Sequence, residues 1–423
     1  MKLYHGDCLE ELKKIPDNSV DSIVTDPPYG LSNTKPQQVA DVLKAWVTGD
    51  TVSVPAKKGG FMGKDWDSFV PPPAVWEECY RVLKPGGHMA VFAGTRTQDL
   101  MGLSIRLAGF EIRDTLGWVY GSGFPKSMNI SKAIDRAAGK LAPESTGFTV
   151  AGYSHNPDKI QHTAPSQGYV PPEPVTDGAK QWDGWGTALK PAIEPIVLAR
   201  KPLEGTVANN VLTYGTGGLN IDASRVGTTG GGNSCKGGDD CHCFDKNEIY
   251  GATKHPVQSD EPKGRFPANI LLDEDAAEAM DKQSGNVNGV IGMKKVSGGH
   301  NFNIGEHTPQ KFNKTGEQIK DSGGASRFFP VFKYQAKAPK RERPVIERED
   351  GTKIQHPTVK PVALMEWLVT LVTPPNGVVL DPFAGSGTTL QAALNEGFDP
   401  IGVEQDVDYI QLINKRLDTT IER

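Results

Sequence analysis

The chain is short of cysteine. Five in 423 residues are too few for a disulfide framework, and with no signal-like start they point to a reducing cytoplasm. It has no uninterrupted apolar run of membrane length, so the chain reads as soluble, with no membrane partner. It has no excess of positive charge either: 46 Lys and Arg against 51 Asp and Glu give a net charge of −5. That excludes a polycation that binds nucleic acid with its whole surface, and leaves only a local basic patch for such a contact. No internal repeat is visible. Glycine and proline, by contrast, are plentiful, at 48 and 32 residues, and predict long irregular segments. The length suits one elaborated domain with an insert.

Two stretches carry chemistry. Val20 to Thr25 alternates like a half-buried strand and runs into Asp26-Pro27-Pro28-Tyr29. Two prolines stop the strand and remove two N–H donors. The turn that remains offers acceptors, the Asp26 carboxylate and the carbonyls beside the prolines, and the flat face of Tyr29. Such a turn suits a planar ring bearing an amino group. A proline turn after any strand is the plainer reading of the four residues alone.

Near the other end, Val378-Val379-Leu380 leads into Asp381-Pro382-Phe383-Ala384-Gly385-Ser386-Gly387-Thr388-Thr389 and then a helical pattern through Leu394. Strand, glycine-rich turn and helix point backbone N–H groups at a ligand. No Lys follows the glycines, which excludes a P-loop. One strand later, Ile401-Gly402-Val403 ends in Glu404, an acid placed to hold ribose hydroxyls.

Together these residues resemble the DNA amino-methyltransferases that use S-adenosylmethionine. Asp26-Pro-Pro-Tyr29 looks like their catalytic motif, and Asp381-Pro-Phe-Ala-Gly-Ser-Gly-Thr388 looks like their cofactor loop. His356-Pro-Thr-Val-Lys360-Pro361 looks like the segment that precedes that loop. The catalytic motif comes first and the cofactor loop last, similar to the permuted beta class. The resemblance covers about residues 1–130, 190–205 and everything after 350. It implies that Asp7, with Cys8 beside it, meets the adenine ring of the cofactor, although capping the following helix would also explain Asp7. It implies cofactor contacts for Asp381, Phe383, Gly385, Ser386, Gly387, Thr388 and Glu404. Lys360, just before a helix start, is placed to meet the cofactor's carboxylate. Double-stranded DNA is the implied partner, in a bacterial or phage-infected cytoplasm. The resemblance leaves open a homodimer and a restriction endonuclease partner.

The expected fold is an α/β seven-stranded Rossmann-like sheet in permuted order with a large irregular insert. Residues 1–205 are expected to form the catalytic half, 206–350 the insert that the resemblance implies reads the DNA target, and 351–423 the cofactor-binding half. Strands are expected at 2–4, 88–93, 110–120 and 192–200. Helices are expected at 74–83, where Lys84-Pro85-Gly86-Gly87 signals a stop, at 97–107 and at 362–372. Residues 31–72 read as loop, with Phe61 and Trp66 as candidate walls for a flipped base or as anchors of the loop itself. In the insert, Lys333, Lys337, Lys340, Arg341 and Arg343 follow or flank Phe328, Phe329, Phe332 and Tyr334. Basic residues among aromatics suit a phosphate-tracking surface, although Glu342, Glu347 and Glu349 dilute the charge. Cys235, Cys241, His242 and Cys243 match no usual zinc spacing, and no metal is expected.

The resemblance implies methyl transfer to adenine N6 in DNA, since Asp at the first motif position is commoner in the adenine enzymes. N4 of cytosine is the alternative. A non-catalytic DNA-binding protein of the same fold is a third reading, opposed by the intact motifs. A protein-glutamine methyltransferase is a fourth, disfavoured by motif order.

Overall fold

The computed structural model describes residues 1–421 apart from 33, 56–66, 122, 124–126, 141–172, 227–263, 290–320, 333–341 and 349. It forms two compact units, Met1–Ser122 with Ile193–Arg423, and Gly123–Ala192. Phe61, Trp66, Cys235, Cys241, His242, Cys243, Lys333, Tyr334, Lys337, Lys340, Arg341 and Glu349 lie outside the described residues.

The larger unit is built on a nine-stranded sheet. Its strands are β1 (Lys2–His5), β2 (Val20–Thr25), β3 (Leu83–Phe92), β4 (Glu111–Val119), β5 (Ile193–Arg200), β6 (Ile270–Asp273), β9 (Val331–Phe332), β12 (Val378–Asp381) and β13 (Asp399–Glu404). Two small ribbons accompany it, β7 (Val287–Gly289) with β8 (Asp321–Gly323), and β10 (Ile346–Glu347) with β11 (Lys353–Ile354). The order across the main sheet is β1-β13-β12-β2-β3-β5-β4-β6-β9. All neighbours are parallel except β5, which is antiparallel to both β3 and β4.

Val20–Thr25, read as a half-buried strand from its alternation, is buried along its whole length, because both faces of the sheet are covered. Successive residues point to opposite faces. Ile23, Met89, Val91, Val197 and Ala199 pack into one core with Leu12, Val42, Trp46, Val75, Trp76, Val82, Met101 and Ile105. Their neighbours Val24, Ala90, Phe92, Ile196 and Leu198 pack into the other, against Leu364, Met365, Leu368, Val369 and Val372 of the helix Val362–Val372. The fold is therefore helices on both sides of one sheet.

Several expectations need correction. Nine strands replace seven because β6 and β9, from the 206–350 region, extend one edge. At four and two residues they are too short to show a period. Residues 31–72 contain a helix, Pro36–Val47, started by proline in its first turn; Val42 and Trp46 are its buried residues. Lys84–Gly87, read as the stop signal of the preceding helix with a strand from residue 88, already belongs to β3. The carbonyl of Pro85 is satisfied there by Asn210 Nδ2 at 2.9 Å and Thr216 Oγ1 at 2.5 Å.

The order of strands places the working edge. From β12 the chain crosses to β13 on one side, and from β2 it crosses to β3 on the other, while β12 and β2 pair directly, Val379 with Ser22 and Leu380 with Ile23. The crossovers diverge between these two strands, so a crevice opens at their carboxyl ends. Thr25 Oγ1 donates to Asp381 Oδ1 across it at 2.6 Å.

Leu368 is fully buried and Leu212 is 86% exposed. Leu368→Ala is expected to destabilise the chain by about 2–5 kcal/mol, and Leu212→Ala by no more than about 0.5 kcal/mol. Denaturant unfolding of both variants checks the assignment of the core.

Candidate active site

The strand β2 ends where Asp26 begins, and its turn is held from three directions. Tyr29 Oη donates to Asp26 Oδ1 at 2.8 Å. Thr97 Oγ1 donates to the carbonyl of Tyr29 at 2.6 Å. Gly30 adopts φ +66°, and its N–H donates to Asp67 Oδ1 at 2.9 Å. A Cβ on Gly30 would sit 2.7 Å from the backbone N of Val70, so glycine is required where the turn passes beneath that segment.

Lys360 enters from the other end of the chain. Its Nζ lies 2.9 Å from Asp26 Oδ2 and 3.1 Å from Glu194 Oε2, and donates to Tyr29 Oη at 3.0 Å. The ammonium rests 4.7 Å from the ring centre of Phe92 and 5.3 Å from that of Tyr29. Burial works against its charge, but Asp26 and Glu194 more than offset this and raise its pKa above the ordinary lysine value. Burial, with Asp26 and Glu194 adding to it, pushes the Tyr29 hydroxyl well above its usual range, so it stays protonated. The ammonium of Lys360 is thus engaged at the Asp26 turn. The cause is local: Pro361 caps the helix Val362–Val372, and that helix packs against β2 and β3.

Glu194 was not singled out in the sequence. It is the one acid in the otherwise apolar run Ala192–Leu198. Because β5 runs antiparallel, with Ile196 opposite Phe92, the start of β5 lies at the carboxyl edge of its neighbours, where Asp26 is.

The second half of the site is the loop after β12. Asp381 is buried, accepts from Thr25 Oγ1 at 2.6 Å and from Phe383 N at 3.1 Å, and is pushed up to about 6 by burial. Gly385 and Gly387 have φ +53° and +79°. A Cβ on Gly385 would stand 3.1 Å from His356 Nε2, and one on Gly387 3.1 Å from Ile413 Cγ1, so the loop lies flat between a ring and a helix. Phe383 packs on Trp76 with ring centres 6.2 Å apart. Ser386 and Thr388 are buried. They face inward, where Arg416 Nε donates to the Ser386 carbonyl at 2.7 Å and Nη2 to Ser386 Oγ at 3.3 Å. Arg416 is a further residue the sequence reading missed. Its signal was weak: an arginine four positions after Leu412, on the buried face of the helix Val407–Ile421.

Glu404 ends β13, one strand over. Its two oxygens accept from Gly385 N at 2.7 Å and Asp406 N at 2.8 Å. Burial pushes its carboxyl up to about 7 against those two bonds. No ion pair to it is recorded among the described residues, and each oxygen keeps a second lone pair, which suits neutral hydroxyl donors. Asp7 follows β1, which pairs with β13 through His5 and Glu404. Its Oδ1 caps Leu9 N at 3.0 Å, while Oδ2 has no hydrogen-bond partner among the described residues. Cys8 is half-buried, and its thiol is pushed up to about 12 by burial, then by Asp7 and Glu404. Asp7, Cys8, the Gly385 loop and Glu404 therefore line one place at the carboxyl ends of β1, β13 and β12. The acceptor set fits a nucleoside: a buried acid to accept from ribose hydroxyls and an exposed carboxylate to accept from an amino group. Among the described residues no cluster could hold a metal ion, and no helix is long and apolar enough to cross a membrane.

Comparison with known proteins gives the site a context. A family model described as DNA methylase matches residues 20–415. The Type II methyltransferase M.HindIII of Haemophilus influenzae is 24% identical over 246 residues, 52% of this chain and 64% of that protein. The DNA adenine methyltransferase YhdJ of Escherichia coli is 34% identical over 120 residues, 28% of this chain and 33% of that protein. The match spans less than two thirds of the length of either relative. A crystal structure of an M1.HpyAVI–SAM complex aligns over 99% of this chain and 98% of its own at 15% identity, with a TM-score of 0.39.

The carboxyl of Glu404 titrates higher in the folded chain, at about 7, than its ordinary 4.5. It binds its proton more tightly folded than unfolded, so the stability it contributes is complete below pH 4.5 and is lost as the pH rises through about 7. Glu404→Gln does not titrate. Its melting temperature relative to the parent is therefore expected to rise from about pH 5 to about pH 8 in the ligand-free chain. A difference that stays constant across that range contradicts the assignment.

Proposed function

Because this chain belongs to the DNA methylase family, whose model spans residues 20–415, we propose that it transfers a methyl group from S-adenosylmethionine to an amino nitrogen of a DNA base, and that the acceptor is N6 of adenine. The observation that carries the reading is the Asp26 turn at the switch point. It presents a carboxylate, proline carbonyls and an aromatic face beside the nucleoside-shaped site of Asp7, Cys8, Gly385 and Glu404. Bound there, S-adenosylmethionine supplies an electrophilic methyl group. In support of adenine, Asp stands at the first motif position, and one relative is named a DNA adenine methyltransferase.

Asp26 and the Pro27 carbonyl accept the hydrogens of the target amine. That turns the nitrogen lone pair, otherwise delocalised into the ring, toward the methyl group. The Tyr29 ring stacks on the base, and its hydroxyl, tied to Asp26 and Lys360, fixes the plane of the stack. Such a reaction needs positioning more than a covalent intermediate. The base leaves the helix stack to reach the turn. Part of the 206–350 region would contact the DNA. What supports this is Arg225 5.8 Å from the exposed Phe266 ring, and Arg265 and Arg327 at 4.9 and 4.4 Å from Phe328, since arginines and exposed aromatics on one surface suit a phosphate-lined partner.

Mass spectrometry of nucleosides from DNA treated with the chain and labelled S-adenosylmethionine is the test. N6-methyladenine is expected. N4-methylcytosine would move the base while keeping the chemistry, and no transfer to any DNA overturns the reading. In single-turnover assays Asp26→Ala is expected to lose about a hundredfold in rate. Asp26→Asn, which keeps an acceptor oxygen, is expected to fall between Ala and the parent, with cofactor affinity retained in both. An Asn variant as slow as Ala would show that acceptance of a hydrogen bond is not what Asp26 supplies.

A further inference from the structure

The cluster around Lys360 holds one acid more than a lysine needs. An ammonium has three protons, and Lys360 meets three oxygens: Asp26 Oδ2, Glu194 Oε2 and Tyr29 Oη at 2.9, 3.1 and 3.0 Å. The faces of Phe92 and Tyr29 close the remaining side. Asp26 alone would neutralise the ammonium. Bringing a second carboxylate to the same buried charge costs desolvation and repulsion between the acids. With Tyr29 protonated, two carboxylates and one ammonium sum to −1, where an Asp26–Lys360 pair would sum to zero. The exposure of the members is graded: Lys360 is 12% accessible, Asp26 21% and Glu194 29%. The cation is on the inside and the acids are toward the opening.

We propose that Glu194 sets the charge of the methyl-accepting site: by sharing Lys360 it leaves the cluster net negative toward the base amine. The proposal rests on the reading of the chain as a DNA amino-methyltransferase. In the transfer, the nitrogen lone pair forms the N–C bond as the C–S bond breaks, with that bond's electrons staying on sulfur. Positive charge passes from sulfur to nitrogen and leaves as a proton to a carboxylate of the cluster. A fixed negative charge beside the nitrogen favours the transition state over the ground state, because only in the former does the amine carry charge. Glu194 acts here through Lys360 and through the field, as a positioning residue.

Charge arithmetic supplies the test. The cluster carries −1 in the parent, 0 in Glu194→Gln, and −1 again in the double variant Glu194→Gln with Lys360→Met. In single turnover with saturating cofactor and DNA, Glu194→Gln is expected to slow methyl transfer by about tenfold or more. Glu194→Asp, which keeps the charge on a side chain one methylene shorter, is expected to lose less rate than Glu194→Gln. The double variant is expected to be faster than Glu194→Gln alone, an outcome that loss of packing would not produce. Titration calorimetry should find cofactor and DNA affinities unchanged within about threefold, or about 0.6 kcal/mol, and melting curves report whether each variant is folded. A parental rate in Glu194→Gln, or a Glu194→Asp variant as slow as Glu194→Gln, overturns the inference. A parent that methylates no DNA overturns the proposed function instead.

Discussion

A single ammonium joins the three parts of this chain that would otherwise have no reason to meet. Lys360, from the last part of the sequence, holds Asp26, from the first, and Glu194, from between them. Each carboxylate alone would lean into solvent or be paired at random. Bound to one cation that has no protons to spare, they are fixed relative to Tyr29 and to each other, and they keep their free lone pairs for whatever enters the crevice. Preorganisation of this kind separates a reactive site from a polar cleft, because the dipoles need not move when charge shifts.

The sheet makes that meeting possible. Parallel strands β12 and β2 are neighbours although they are far apart in sequence, so the cofactor loop and the Asp26 turn leave the same edge side by side. The 2.6 Å bond from Thr25 to Asp381 ties the two at their roots. Antiparallel β5 then brings Glu194 to the same edge from the opposite direction. On the far side of the loop, the buried guanidinium of Arg416 grips Ser386 by carbonyl and hydroxyl and reaches the Glu342 carbonyl at 2.6 Å and Gln391 Oε1 at 2.7 Å. One cation thus fixes the Asp26 turn and another the Gly385 loop. Arg416 shows what its burial costs: its pKa falls to about 10.

What could be read in the sequence was what is contiguous. Asp26 to Tyr29 and Asp381 to Thr388 are short runs whose chemistry and turn geometry are local, and the strands before them are marked by apolar alternation. Glu194 could not be read, because its meaning comes from lying opposite a turn 165 positions away from it in sequence. Lys360 was singled out from its place before a helix, which was legible; the three oxygens it meets, on Asp26, Glu194 and Tyr29, were not. The helix Pro36–Val47 was hidden by the proline that starts it, in a stretch whose glycines and prolines drew attention from Val39, Val42 and Trp46. Strands β6 and β9 were hidden by their length. For Glu194 the missing information was tertiary; for the helix Pro36–Val47 and the strands β6 and β9 it was a local pattern too interrupted or too short to read.

The central claim is that the lysine-bound Asp26 turn is where a base amine meets the methyl group. A crystal structure of the chain with S-adenosylhomocysteine and duplex DNA tests it most directly. The account expects an extruded base stacked on Tyr29, its amino nitrogen within hydrogen-bond distance of Asp26, with the Lys360 ammonium still on Asp26 and Glu194. A base bound elsewhere, or Lys360 withdrawn from Asp26 to the carboxylate of the cofactor product, would contradict it.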